Sequence, residues 1–177
     1  MISKDALKEI SPETPEKVID LYWSSLNQAM AEFEINTPIR QAAFIAQILH
    51  ETGGLRYMIE LWGPTDTQKR YEGRKDLGNT ELGDGKRFRG RGAIQLTGRA
   101  NYVRYSDLLN ENLVENPEIA ATPAFAFRIA GAFWKTHGLN ELADTGAFKT
   151  ITRRINGGLN GLVDRLQYYE RALEALK

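Results

Sequence analysis

The sequence contains no cysteine. Disulfides, thiolate metal sites and cysteine nucleophiles are therefore excluded, and packing alone must hold the fold. It also has no excess of charge: 23 Lys and Arg balance 23 Asp and Glu. No overall field then favours a nucleic acid or a membrane surface. There is no apolar run of about 18 residues, the length that spans a bilayer, and the start MISKDALKEI has no apolar stretch of the kind a secretory signal carries. The expectation is a chain made in a cytoplasm, with no stable membrane insertion. Histidine is scarce, at positions 50 and 137 only. His50-Glu51 resembles the first half of the zinc motif HExxH, but Gly54 stands where the second histidine should be and His137 is far away in sequence, so no metal is expected. A GxSxG elbow for a serine nucleophile is absent too.

What is present is helical periodicity. The chain, 177 residues long, fits one domain covering 1–177. Its organising stretch is Arg40 to Gly54, RQAAFIAQILHETGG, where Ala42, Phe44, Ile45, Ile48 and Leu49 make one broad buried face. Thr37-Pro38 has the chemistry of a helix start, and Gly53-Gly54 that of a helix end. A second amphipathic helix precedes it, after Thr14-Pro15, with Ile19, Tyr22, Trp23, Leu26, Met30 and Phe33 on one stripe. Its aromatic residues read as core rather than as a sugar-stacking platform. The short link Ile35 to Thr37 makes the two helices expected antiparallel neighbours. Ser3 to Ile10 is a brief leading helix.

Downstream, Gly73 to Gly92 holds six glycines among charged residues and reads as a long ordered loop, of a length usually kept for function. Ala93 to Gly98 reads as a short extended run with Gln95 and Thr97 facing one way. Lys86 to Gly92, KRFRGRG, looks like a nucleic-acid-binding arginine-glycine segment. The balanced charge argues against that partner, and the arginines are expected to brace the loop by pairing with nearby carboxylates. Helices follow at Arg99 to Leu109, after Thr122-Pro123 to Gly138 with near all-round hydrophobicity, at Phe148 to Ile155, and over Leu162 to Leu176. The fold class is all-α, with the glycine loop lining a cleft between helical parts.

The chemistry left to such a chain is that of paired carboxylates. Glu51 lies in the last turn of an apolar helix, where the dipole and the loss of water both disfavour its ionised form, as a general acid requires. Glu72 opens the polar loop, where a carboxylate stays charged and can act as base. Glu60, Asp66, Glu81 and Asp84 could take the place of Glu72 on this argument alone.

HETGG at His50 to Gly54, YEGR at Tyr71 to Arg74, GRGAIQLTGRANY at Gly90 to Tyr102, INGG at Ile155 to Gly158 and Asp164-Arg165 together resemble the family 19 glycoside hydrolases. The resemblance implies a lysozyme-like helical fold in two lobes, with Glu51 as general acid and Glu72 as general base of an inverting reaction. Thr97 would hold the attacking water. His50, Tyr71, Gln95, Asn101, Asn156 and Arg165 fall at substrate-cleft or supporting positions, and no cofactor is implied. The family holds chitinases and phage endolysins that cut peptidoglycan, and the chain is most similar to single-domain endolysins of phages infecting Gram-negative bacteria. That likeness implies a monomer released to the periplasm through a separate pore protein. Chitin is the alternative substrate, since both polymers are β-1,4-linked and carry N-acetylglucosamine. A non-catalytic glycan-binding module is the remote alternative, and the presence of both glutamates argues against it.

Overall fold

The computed structural model describes residues 1–177. Ten α-helices follow one another: α1 (Lys4–Ile10), α2 (Glu16–Glu32), α3 (Pro38–Thr52), α4 (Asp66–Lys69), α5 (Asp84–Arg87), α6 (Arg99–Leu109), α7 (Pro123–Thr136), α8 (Leu139–Asp144), α9 (Phe148–Asn156) and α10 (Leu162–Ala175). Short 3-10 turns occupy Lys75–Leu77 and Pro117–Ala121. The fold is therefore all-α, as expected. The extended pairing present is two isolated bridges, Ile59 with Arg91 and Arg91 with Leu96.

Local chemistry sets the boundaries. Ser3 caps α1 by accepting from the Ala6 amide, and Thr37 caps α3 by accepting from the Arg40 amide, with Pro38 at the first helical position. Gly53 ends α3 in the left-handed region, at φ 57°. Residues Ala42 to Leu49 are buried without interruption, so α3 is surrounded rather than half-exposed.

That burial corrects one expectation. α3 packs chiefly on α10, and α2 on α7, so α2 and α3 are not the antiparallel pair that their short link suggested. A helix buried all round needs partners on every side, and the stripe of α2 is instead met by α7, where Tyr22 packs edge-on against Phe127 with ring centroids 5.6 Å apart. Trp23 donates its indole N–H to the Ile2 carbonyl. Both aromatic residues serve the packing, as read from the sequence.

α7 divides the interior. Ala126, Phe127, Ala130 and Trp134 belong to a core of 28 buried residues drawn mainly from α1, α2, α3, α8, α9 and α10. Ile129 and Ala132 belong to a second core of 9, with Phe88, Tyr102, Tyr105 and Leu109. Two cores on either side of one helix are the physical basis of two lobes.

Three further differences concern the region between α3 and α7. The glycine loop is not structureless, since α5 and a 3-10 turn lie within it. The expected extended run at Ala93 to Gly98 is a tight turn: Arg91 and Leu96 exchange both backbone hydrogen bonds, Gln95 donates its amide to the Gly92 carbonyl, and Gln95 sits at φ 54°. A turn of this kind satisfies its own amides, so no neighbouring strand is needed. The arginines of KRFRGRG do brace the loop, but mostly on carbonyls rather than carboxylates. Buried Arg91 donates to the Arg87 carbonyl at 2.7 Å and to the Tyr102 hydroxyl at 2.9 Å, and Arg87 to the Val114 carbonyl at 3.0 Å. Arg91 with Glu118, at 3.4 Å, is the ion pair the segment makes.

Candidate active site

Glu51 is delivered by the last turn of α3, and its surroundings differ from the apolar setting its helix implied. Arg165, a buried residue in the first turn of α10, donates through Nη2 to Glu51 Oε1 at 2.5 Å. The same guanidinium donates through Nη1 to Gln47 Oε1 at 2.5 Å, and Gln47 in turn donates to Thr152 of α9 at 2.9 Å. A guanidinium replaces the water that burial removed. It also fixes one carboxyl oxygen while Oε2 is left without a protein hydrogen bond and open to a ligand. His50, the preceding residue, donates from Nδ1 to Asp164 at 2.6 Å, and its ring covers Gly161 so closely that a Cβ there would lie 2.1 Å from it. Two adjacent residues of α3 thus bind two adjacent residues of α10.

Glu72 is held quite differently. Its side chain is exposed, and its two oxygens accept from the backbone amides of Gly83 at 2.6 Å and Gly85 at 3.0 Å. Backbone amides hydrogen-bond a carboxylate and fix its direction without bringing a side chain into the cleft. Gly85 is needed for this approach, since a Cβ there would stand 2.9 Å from both the amide nitrogen and Oε2 of Glu72. Asp84 and Arg99 fix the cradle. Arg99 donates to both oxygens of buried Asp84, at 2.8 and 2.6 Å, and Asp84 accepts from the Glu81 amide. These bonds hold the Asp84 carboxyl below the usual range, the Arg99 guanidinium contributing most.

The rival carboxylates can now be separated. Asp84 is locked to Arg99, Glu81 shares that guanidinium, and Asp66 pairs with Lys69 far out in solvent. Glu60 is tied to the loop: it accepts from Gln68, the Tyr71 hydroxyl and the Gly90 amide. Burial, then Glu60 itself, pushes the Tyr71 hydroxyl up from its ordinary value.

Gln95, Thr97 and Asn101 share one groove of 300 Å³, closed by Leu77, Tyr105, Phe133 and His137. Thr97 donates its hydroxyl to the Gln95 carbonyl at 2.8 Å, which leaves the oxygen's lone pairs free to accept. Asn101 donates to the Thr97 carbonyl at 2.8 Å and steadies the same turn. The segment leaving α3 joins this turn, through Gly92 to the Met58 carbonyl and Glu60 to the Gly90 carbonyl, both 2.8 Å. Tyr71, Glu60, Gly90 and Gln95 are therefore one contact group, with Glu72 beside Tyr71. Glu51, His50 and Arg165 form the other group. Asn156 ends α9 with a buried Nδ2 that has no protein partner, a donor that a ligand oxygen would satisfy.

Sequence reasoning missed Gln47, Thr152, Glu60 as a loop tie, and the Trp62 ring 6.3 Å from Tyr71. For Gln47 a signal existed: it is the polar residue one turn before Glu51 in an apolar run, on the same helix face.

Comparison with known proteins gives a consistent result. The family described as Chitinase class I matches residues 29–151. A glycosyl hydrolase family 19 domain-containing protein of Haemophilus influenzae is 32% identical, over 98% of this chain and 96% of the relative. An endochitinase of Pisum sativum is 32% identical over 73% of this chain, which spans only 51% of that protein. Among solved structures, chitinase C of Streptomyces griseus superposes with a TM-score of 0.76 at 25% identity, covering 99% of this chain and 76% of the other. A bacterial family 19 chitinase gives 0.75 at 25% identity, covering 99% and 94%.

Proposed function

Since this chain belongs to glycoside hydrolase family 19 and is a glycoside hydrolase, we propose that it is an endolysin-type enzyme that cuts β-1,4 bonds of bacterial peptidoglycan with inversion. Glu51 is the acid, presenting Oε2 to the glycosidic oxygen. Glu72 is the base, drawing a proton from a water whose oxygen hydrogens Thr97 helps to orient. The observation that carries this division is the contrast in how the two carboxyls are held: one oxygen of Glu51 on a guanidinium with the other free, both oxygens of Glu72 on backbone amides. One carboxyl has an oxygen open toward a glycosidic oxygen, and the other is aimed as a whole by its amide cradle.

Peptidoglycan as substrate is supported by the resemblance to single-domain endolysins and by the absence of cysteine, which suits synthesis in a reducing compartment. No helix is long and apolar enough to cross a membrane. The proposal includes a monomer made in a bacterial cytoplasm that reaches the wall through a separate pore protein. The second reading is a chitinase, favoured by the plant endochitinase relatives.

Product analysis tests both. Purified peptidoglycan should yield new reducing ends, and outer-membrane-permeabilised Gram-negative cells should lyse. New amino groups alone would make the enzyme an amidase or peptidase, while turnover confined to chitin oligomers would establish the second reading.

A further inference from the structure

The groove that holds Gln95, Thr97 and Asn101 also exposes a guanidinium that nothing in the protein uses. Asn101, Arg104 and Tyr105 stand at i, i+3 and i+4 on α6, so they share a face, and all three line the groove. Tyr105 is buried in the small core beneath. Arg104 is exposed, makes no hydrogen bond and forms no ion pair. The neighbouring arginines are committed: Arg99 to Asp84 and Glu81, Arg91 to Tyr102 and Glu118. Asp107, one turn further along α6, is exposed and makes no ion pair with Arg104. Across the groove lies His137, whose Nδ1 donates to the Phe133 carbonyl at 2.8 Å and whose Nε2 has no protein partner.

An uncharged glycan gives such a guanidinium nothing to pair with. A glycan that carries carboxylates does, and a planar five-donor fork is suited to binding a carboxylate bidentately. We propose that Arg104 forms an anion-binding subsite that receives a carboxylate borne by the muramyl residue of the wall glycan, with His137 Nε2 accepting from a neighbouring hydroxyl or amide N–H of the sugar. The sugar ring itself lies over Gln95, Thr97 and Asn101. This deepens the peptidoglycan reading and rests on it, because chitin has no carboxylate to offer. Two sources share the chemistry: the lactyl carboxylate of a peptide-free muramyl unit, and the carboxylates of the stem peptide.

Both the subsite and its source are tested by NMR titration of wild type, Arg104→Gln and Arg104→Lys with three small sugars. These are N,N′-diacetylchitobiose, the N-acetylglucosaminyl-N-acetylmuramic acid disaccharide, and the same disaccharide carrying an alanyl-glutamate stem. Wild type should bind at least one acidic sugar about fivefold tighter than N,N′-diacetylchitobiose, equivalent to about 1 kcal/mol. The preference should vanish in Arg104→Gln, persist in Arg104→Lys, and shrink as salt is raised. Whichever acidic sugar shows it identifies the source. On intact peptidoglycan, Arg104→Gln should raise KM by a similar factor, with kcat changing less. Equal binding of all three sugars by wild type, or a preference that survives in Arg104→Gln, overturns the subsite. A wild type that prefers the acidic sugars through Arg104 yet does not cleave peptidoglycan would instead sink the function proposed above and leave the subsite standing.

Discussion

Arg165 joins Glu51 at 2.5 Å while holding Gln47 one helical turn away, so the Glu51 end of α3 and the start of α10 are one unit. The guanidinium is almost fully buried and the Glu51 side chain is 23% exposed. Removing one partner leaves the other desolvated and unpaired, which costs about 3 kcal/mol at such sites. Arg165→Gln should therefore lower the urea midpoint markedly, and turnover should fall at least tenfold because the acid loses its orientation. The double variant Glu51→Ala with Arg165→Gln should be less destabilised than the sum of the two singles. Additive losses would mean that the pair does not couple.

Gly85→Ala probes the seat of Glu72. A methyl group placed 2.9 Å from the Glu72 carboxylate and amide must push that residue out of its cradle, whereas both cores lie elsewhere. The expected result is a kcat reduced by about two orders of magnitude, in the range of a displaced catalytic group, with thermal stability changed little. Unchanged kcat would show that the cradle is not needed to aim the base.

Asp84 gives a pH signature. Its carboxyl is held below its ordinary value by Arg99, so the unfolded chain binds its proton at a higher pH than the folded chain does. The stabilisation is then fully present at neutral pH, begins to decline as pH falls through the ordinary carboxylate value of about 4, and is lost below the depressed one. Asp84→Asn should be less stable by about 2 kcal/mol at pH 7, the worth of buried hydrogen bonds to a charged group. The difference should close as pH falls below the ordinary carboxylate value of about 4. Urea midpoints measured across that window check it, and a gap that widens on acidification would reverse the assignment.

The helices were legible because each carries its own signals. Thr37-Pro38 and Gly53 bound α3, and the stripe of α2 is periodic, all properties of residues close in sequence. The partner of α2 was not legible, because a stripe reveals that a face is buried and not against what; a short link favours neighbours, yet α3 needed every side for other helices. Glu51 could be singled out from its helix, but Arg165, 114 positions away, came from motif resemblance and Gln47 from neither. The turn at Gln95 was read as extended because alternation of polar residues over so few positions fits either form, and the positive φ of a non-glycine residue leaves no mark in composition.

Thr97 offers a narrower test. Its hydroxyl hydrogen is directed to the Gln95 carbonyl, so its contribution to catalysis must come through the oxygen, as acceptor of a water hydrogen. Thr97→Ser keeps that oxygen and should retain most activity. Thr97→Ala removes it and should lose about ten- to a hundredfold, a range set by loss of one positioned hydrogen bond. Equal activity in all three proteins at equal stability would reduce Thr97 to a residue that merely shapes the turn before Gly98.

The mechanism makes the last prediction. If Glu51 protonates the glycosidic oxygen while Glu72 activates water on the opposite face, the two carboxyls must leave room for that water, at about 6.5 to 9.5 Å, and the first-formed product must have inverted anomeric configuration. Glu51→Gln keeps the shape of the acid and can still accept from Arg165, but has no proton to give; cleavage of a natural glycan should be abolished because the leaving group needs protonation. Glu72→Gln removes the base while its amide can satisfy only one of the Gly83 and Gly85 N–H groups, so it should be equally crippled on water. The two then separate on azide, a small anion that can attack from the side Glu72 serves but cannot protonate a leaving group. Partial rescue of Glu72→Gln, and none of Glu51→Gln, is expected, with the sugar azide formed in inverted configuration. NMR of the wild-type product taken within the first minutes, before mutarotation, decides more firmly: a retained configuration would make the second carboxylate a nucleophile, and the division of labour between the guanidinium-held and the amide-held glutamate would have to be abandoned.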